Sequence, residues 1–421
     1  MRKNLVVFIA FLIVACLYCY FRSTSIGFGD SLGLMLNAEK GFNPATQANG
    51  HFLYQNLLHL FIIILPFGTV FFKASLFSII FSVLTMLMVY KSVKMLTGNY
   101  MTGLISATVF ALSFVNWRQT EIIEVYTLNN FLFALMLYYV LKDISVDGNR
   151  HQKQAAIVFG FAFLAHIQNI LLIPFYLLYL WLINKGQLKK CTIPLIITIA
   201  IASPLILIPL IFDTNSILSV FFQNNDIGSL VTSLVLKTFI TGFIKSIGYF
   251  IYNFLLYGFF VIYGLRVVYQ KNKSLFWLLL TGILPFWLFA MKFDVPDNYV
   301  FFLQANMLCI ILGGYSLSFW LEKVPHYSLL FLVAVFLSFP SIYYFTYTSA
   351  EKIPVFKKVE ERKAYKGGLK YLLWPGMRNN ADLIELSRKI YLSGKKPDSF
   401  SEFEWNYVQA VEYLQKKGEL K

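Results

Sequence analysis

Residues 1–22 read MRKNLVVFIAFLIVACLYCYFR: two basic residues, Arg2 and Lys3, then an apolar run that reaches Tyr20 without a charge. A helix rises about 1.5 Å per residue, so such a run crosses most of the ~30 Å hydrocarbon layer of a bilayer. The stretch has the first two regions of a secretory signal. No small-x-small cleavage site follows, so it reads as a retained signal-anchor helix with a cytoplasmic N-terminus. Similar runs recur along the chain, near 73–94, 101–117, 125–142, 154–167, 170–184, 191–212, 247–267, 274–291, 299–320 and 327–347. With 4–21 they predict an all-α, polytopic membrane protein of about eleven transmembrane helices.

Composition agrees. The 421 residues are 58% hydrophobic and 14% charged, where a soluble domain carries about 25% charged residues. So little charge cannot clothe a water-soluble body. The net charge of +15 raises nucleic acid as a partner. That reading is rejected, because the basic residues are spread through short loops and a tail, where anionic lipid headgroups are the nearer partner. Cys16, Cys19, Cys191 and Cys309 all fall in apolar runs and read as buried small hydrophobes.

Two apolar segments are read as interfacial or re-entrant rather than spanning. Segment 51–66 carries His51, Gln55, Asn56 and His59, and 229–246 carries Lys237 and Lys245. Loop charge supports the choice. Lys91 and Lys94, then Lys142, Arg150 and Lys153, then Lys185, Lys189 and Lys190, then Arg266, Lys271 and Lys273, then Lys323 all fall on one side, as the positive-inside rule requires of the cytoplasm. Stretches 22–72, 117–124, 213–246 and 291–298 then face outward. The chain divides into a membrane module, 1–347, and a small basic helical tail, 348–421, on the outer side. In the tail Asn380 is placed to cap a helix ending at Gly394, and Ser401 with Glu404 forms a capping-box pattern.

The outward stretches hold the residues that could carry chemistry. Asp30, in Gly27-Phe28-Gly29-Asp30-Ser31, is either a general base at the membrane surface or the N-cap of a helix over Leu32–Glu39. Taken alone the cap is favoured; the long aromatic loop around it favours a substrate groove. Glu121 and Glu124 lie three apart at the mouth of an apolar span, where ionisable groups are costly. An ion pair with Arg118 explains Glu121 equally well, whereas Glu124 lies deeper. His166, beside Gln168 and Asn169, suits contact with a phosphate or sugar, or is a satisfied buried histidine. Lys292 suits a lipid phosphate. Asp294 and Asp297 suit sugar hydroxyls or a metal, and a plain turn around Pro296 is the alternative. P-loop, Rossmann and HExxH motifs are missing, so no standard nucleotide loop is present.

These stretches, in this order, resemble a family of GT-C superfamily membrane glycosyltransferases that includes the animal endoplasmic-reticulum O-mannosyltransferase of plexin-type receptors and many bacterial relatives. Gly29-Asp30-Ser31 resembles the family's G-D-S opening. Gly50-His51-Phe52-Leu53-Tyr54, with Leu60-Phe61 and Leu65-Pro66-Phe67-Gly68, is similar to its G-x-x-L-Y…L-F…L-P-F-G segment. Glu124-Val125-Tyr126 with Leu128-Asn129 is similar to E-V-Y-x-L-N, and Asp294-Val295-Pro296-Asp297 to x-V-x-D-x-Y. Tyr371-Leu372-Leu373-Trp374-Pro375-Gly376 with Arg378-Asn379-Asn380 belongs to the same likeness. The family's H-P-P-G reads Gln47-Ala48-Asn49-Gly50 here, and His51 is the nearby imidazole.

The resemblance implies a GT-C-like fold with interfacial helices in the first outer loop, and an inverting transfer of a sugar from a polyprenyl-phosphate donor to a hydroxyl of a protein or glycan. Asp30 and Glu124 would be catalytic. His51, Tyr54, Arg118, Glu121, Tyr126, Asn129, His166, Lys292, Asp294 and Asp297 would bind substrate. No metal cofactor is required when a lipid monophosphate leaves against a basic partner. The expected setting is a bacterial inner membrane. A flippase for a lipid-linked glycan and a non-catalytic membrane scaffold are the rival readings.

Overall fold

The computed structural model describes residues 2–27, 29–44, 51–212, 236–292, 298–380 and 382–393, and a few positions beyond. Every regular element among them is helical. The first outer loop follows α1 (Arg2–Phe21) and holds two short helices, α2 (Ser31–Lys40) and α3 (Phe52–Ile64). Then come α4 (Val70–Thr97), α5 (Tyr100–Leu112), α6 (Phe114–Glu121), α7 (Tyr126–Lys142), α8 (Gln152–Ala165), α9 (Ile173–Ile183), α10 (Leu188–Ala202) and α11 (Pro204–Phe212). The C-terminal half comprises α12 (Leu236–Phe254), α13 (Gly258–Lys271), α14 (Lys273–Lys292), α15 (Leu303–Lys323) and α16 (Ser328–Glu351). The tail helices are α17 (Pro354–Lys363), α18 (Gly368–Leu373) and α19 (Leu383–Ser393).

Seven of these helical stretches are long and apolar enough to cross a bilayer, or eight if α5 and α6, bent by 61° at Ser113, make one broken span. The expected count of about eleven is therefore not confirmed. The difference lies in α7, α8 and the stretch Ile167–Ile183, which have 17 residues or fewer. At about 1.5 Å per residue they fall short of a ~30 Å layer. Helix α3 has 13 residues, and α12 covers part of the second segment read as interfacial; positions 213–235 lie outside the described residues.

The middle of the bundle is α15, buried along nearly its whole length, with α4, α5 and α7 around it. Peripheral helices expose large apolar side chains, as lipid contact demands: Ile196 and Ile199 on α10, Phe259 and Ile262 on α13, Leu330 and Leu337 on α16. Cys16 and Cys19 share that lipid-facing surface, which corrects their reading as buried; Cys191 and Cys309 are buried.

Small residues let helices approach. A Cβ on Gly264 would lie 2.5 Å from the carbonyl oxygen of Leu312, so α13 and α15 meet backbone to backbone. Gly264→Ala must push them apart and should cost about 1–3 kcal/mol, read as a lower unfolding midpoint in detergent. An unchanged midpoint would show that this contact is not needed.

Lys3, Asn99, Tyr100, Pro325 and His326 surround one cavity, so the N-terminus and the turns at 97–100 and 323–328 share an end of the bundle. The polar cavity described next is built from the opposite ends of the same helices.

Candidate active site

The cavity forms where α1 ends, α2 begins, α6 gives way to α7, and the tail folds back. Ile122 is extended (φ −121°, ψ 166°), which stops α6 and turns the chain out of the helix. Two hydrogen bonds fix the first loop against this break. The Ser23 amide donates to the Glu121 carbonyl at 3.0 Å, and Ser31 Oγ donates to the Ile123 carbonyl at 2.9 Å. They bring Asp30 and Glu124 to one cavity of about 140 Å³, shared with Gln119, Tyr126, Tyr299, Lys366, Tyr371 and Asn380.

Asp30 occupies the N-cap position of α2, yet its side chain accepts no capping hydrogen bond. It is exposed, whereas Glu124 is half-buried. Gly29–Gly33 also has the Gly-x-Ser-x-Gly spacing of a hydrolase nucleophile elbow. That motif needs a strand running into the serine. Here a helix starts at Ser31, and its hydroxyl is committed to the Ile123 carbonyl.

A histidine pair adjoins the cavity. The Tyr126 ring packs on His166 (5.3 Å between centroids), and His166 on His51 (4.9 Å). His51 Nδ1 lies 3.2 Å from the Ala165 carbonyl, which can only accept, so Nδ1 carries the proton and Nε2 is left as an acceptor. His166 Nδ1 accepts from the Gln168 amide at 3.0 Å, so in its neutral ring Nε2 is the donor. The two imidazoles thus present one acceptor and one donor. Burial holds the His51 pKa below the usual imidazole value, against the Ala165 hydrogen bond and the charge of Asp30. His51 sits at φ 54°, a left-handed conformation that costs a non-glycine residue about 1–3 kcal/mol and clusters at functional sites.

Other expected site residues are packed inside. Arg118 is fully buried under the tail. Its Nε donates to the Pro375 carbonyl at 3.2 Å and one Nη to that of Trp374, while the guanidinium lies 4.6 Å from the Tyr371 ring centroid. Glu121 is also fully buried and accepts from the Trp117 indole at 2.9 Å, so this hydrogen bond replaces the ion pair with Arg118. Asn129 Oδ1 accepts from Asn169 Nδ2 at 2.6 Å, and the buried Tyr54 ring meets Phe77 edge-on. Lys292 ends α14, half-buried, and does not line the cavity. Asp294 and Asp297 lie outside the described residues, as do Gln47–Gly50, Gly394, Ser401 and Glu404. Among the described residues no three His, Cys, Asp or Glu side chains cluster as metal ligands do.

Lys366 and Tyr371, which sequence reading did not single out as site residues, are supplied by the tail. Phe21, Trp117 and Trp374 form an aromatic knot with centroids 5.4–5.7 Å apart. The Met377 amide donates to the Phe21 carbonyl at 3.0 Å. Asn380 does not cap α19: its Nδ2 donates to the Lys366 carbonyl at 2.8 Å, and Asp382 accepts weakly from the Glu385 amide instead. Gly367 makes that closure feasible, since at φ 106° a Cβ would lie 1.9 Å from Asn380 Oδ1. The sequence signal was the Gly367-Gly368 pair just before an aromatic stretch.

The helical fold is that of an integral membrane protein of GT-C-like architecture, and the sequence resembles the O-mannosyltransferase TMEM260. Residues 46–189 match the family described as the Protein O-mannosyl-transferase TMEM260 N-terminal domain. Over 202 residues the chain is 24% identical to the Protein O-mannosyl-transferase TMEM260 of Mus musculus, a match covering 47% of this chain and 28% of the mouse protein. The chain thus corresponds to less than a third of that relative's length. In structure it is similar to the Archaeoglobus fulgidus oligosaccharyltransferase crystallised with Zn and sulfate, with a TM-score of 0.52, 13% identity, and coverage of 95% of this chain and 56% of the other. Asp30 and the tail fall outside the span that matches the family.

Proposed function

We propose that the chain is an inverting membrane glycosyltransferase, moving a sugar from a polyprenyl-phosphate donor to a hydroxyl of a protein or glycan on the outer face of a bacterial inner membrane. The observation that supports it best is that Asp30 and Glu124, distant in sequence, line one cavity. A donor with a polyprenyl chain partitions into the bilayer while its acceptor is aqueous, so the reaction belongs at the boundary where this cavity lies. The positive-inside distribution of loop charge supports assigning that end to the outer face.

In this reading Asp30 takes the proton of the acceptor hydroxyl. The acceptor oxygen attacks the anomeric carbon from the face opposite the phosphate. A new C–O bond forms as the old C–O bond to phosphate breaks, and its electron pair leaves on the phosphate oxygen. Glu124, Tyr126 and the His51–His166 pair orient the acceptor and stabilise positive charge developing on the sugar.

Purified chain in nanodiscs, given polyprenyl-phosphate mannose, should transfer the sugar to a hydroxyl acceptor with inverted anomeric configuration. Retention of configuration would refute the direct displacement. Movement of the intact lipid across the bilayer without transfer would make the protein a flippase.

A further inference from the structure

The displacement just described leaves a phosphate dianion beside two carboxylates, and a cation must hold it. Sequence reading placed Arg118, His166 and Lys292 among the substrate-binding residues. Arg118 has two of its donors on the tail carbonyls of Trp374 and Pro375, and His166 faces His51 and Tyr126. Lys292 is not at the cavity. Among the described residues lining the cavity, Lys366 is the one cationic side chain.

Lys366 is built into place. It is only 8% exposed, it ends a single turn of 3-10 helix (Ala364–Lys366), and Asn380 pins its carbonyl. The left-handed Gly367 and Gly368 follow, where a Cβ on Gly368 would lie 2.1 Å from Glu360 Oε1. The Nζ lies 5.7 Å from the centroid of Tyr371, another cavity residue.

We propose that Lys366 binds the phosphate of the lipid-linked donor and receives the charge that appears as the anomeric C–O bond breaks, which makes the tail part of the catalytic site. The inference rests on the glycosyltransferase reading above. A lysine ammonium suits this task as a compact point charge against a single phosphate.

The test uses the full chain in nanodiscs, with undecaprenyl monophosphate and uncharged undecaprenol as probes. Lys366→Met should weaken binding of the monophosphate by about ten- to a hundredfold, the scale of a charged hydrogen bond, and leave undecaprenol binding unchanged. Lys366→Arg, which keeps the charge, should bind the monophosphate within a few-fold of the parent. Equal weakening of both lipids by Lys366→Met would show a packing role and overturn the proposal. Competition by inorganic phosphate as effective as by the lipid would make this a free-phosphate site and overturn the lipid assignment. If the parent transfers sugar and Lys366→Met binds the monophosphate equally well, this inference falls and the glycosyltransferase reading stands. If the parent neither transfers sugar nor binds the monophosphate, both fall.

Discussion

The Asp30→Asn variant is expected to insert, fold and bind the donor lipid, yet to lose sugar transfer by about 10²–10⁴-fold, the usual contribution of a positioned general base. The structure makes this substitution informative. Asp30 starts α2 without accepting a cap hydrogen bond from it, so a change from carboxylate to amide removes no contact that holds the helix. Asparagine is also as good a cap as aspartate, so local stability should hardly move. Transfer and thermal stability, measured on the same preparation, separate the two roles. Near-normal transfer would pass the base role to Glu124, the other carboxylate of the cavity.

Arg118→Met should release the tail. The guanidinium is fully buried and joins α6 to the carbonyls of Trp374 and Pro375. Hydrogen bonds to a charged group contribute about 1.5–3 kcal/mol each, and methionine fills similar volume while leaving both carbonyls unpaired. Lys366, now buried, should become a fast site for trypsin, and transfer should fall by about tenfold or more as the phosphate partner departs. The membrane helices should stay intact, since among the described residues the hydrogen-bond partners of the Arg118 side chain are the tail carbonyls of Trp374 and Pro375. An unchanged cleavage rate after Lys366 together with full transfer would show that Arg118 is not what holds the tail.

Reading from sequence worked where one physical signal dominates. Bilayer thickness forces long apolar runs, so 273–292 and 325–351 were found within a few residues. It missed the break inside the span expected over 101–117, where α5 and α6 meet at 61°. Ser113 adopts an extended conformation (φ −57°, ψ 139°) and bends the pair, and no proline or glycine at that point announces it. The cavity was half legible. Asp30 and Glu124 stand out because carboxylates are costly beside lipid. Arg118 and Glu121 stand out for the same reason, but the structure places them beneath the surface, holding the tail and the Trp117 indole. Lys366 was not singled out, because one lysine in a basic tail looks like any other and only the Gly367-Gly368 pair beside it marks the turn that brings it back to the first loop.

That return has a consequence for biosynthesis. Asp30 leaves the ribosome early and Lys366 more than three hundred residues later, tens of seconds apart at about 5–20 residues per second. In between, every membrane helix after α1 must be threaded, and only then can the Phe21–Trp117–Trp374 knot close. A chain inserted in part, or with one helix inverted, would carry its carboxylates and its lysine on opposite faces of the bilayer. By the proposed reaction such a chain could not consume donor lipid, so assembly of the cavity would double as a check that the membrane topology is correct.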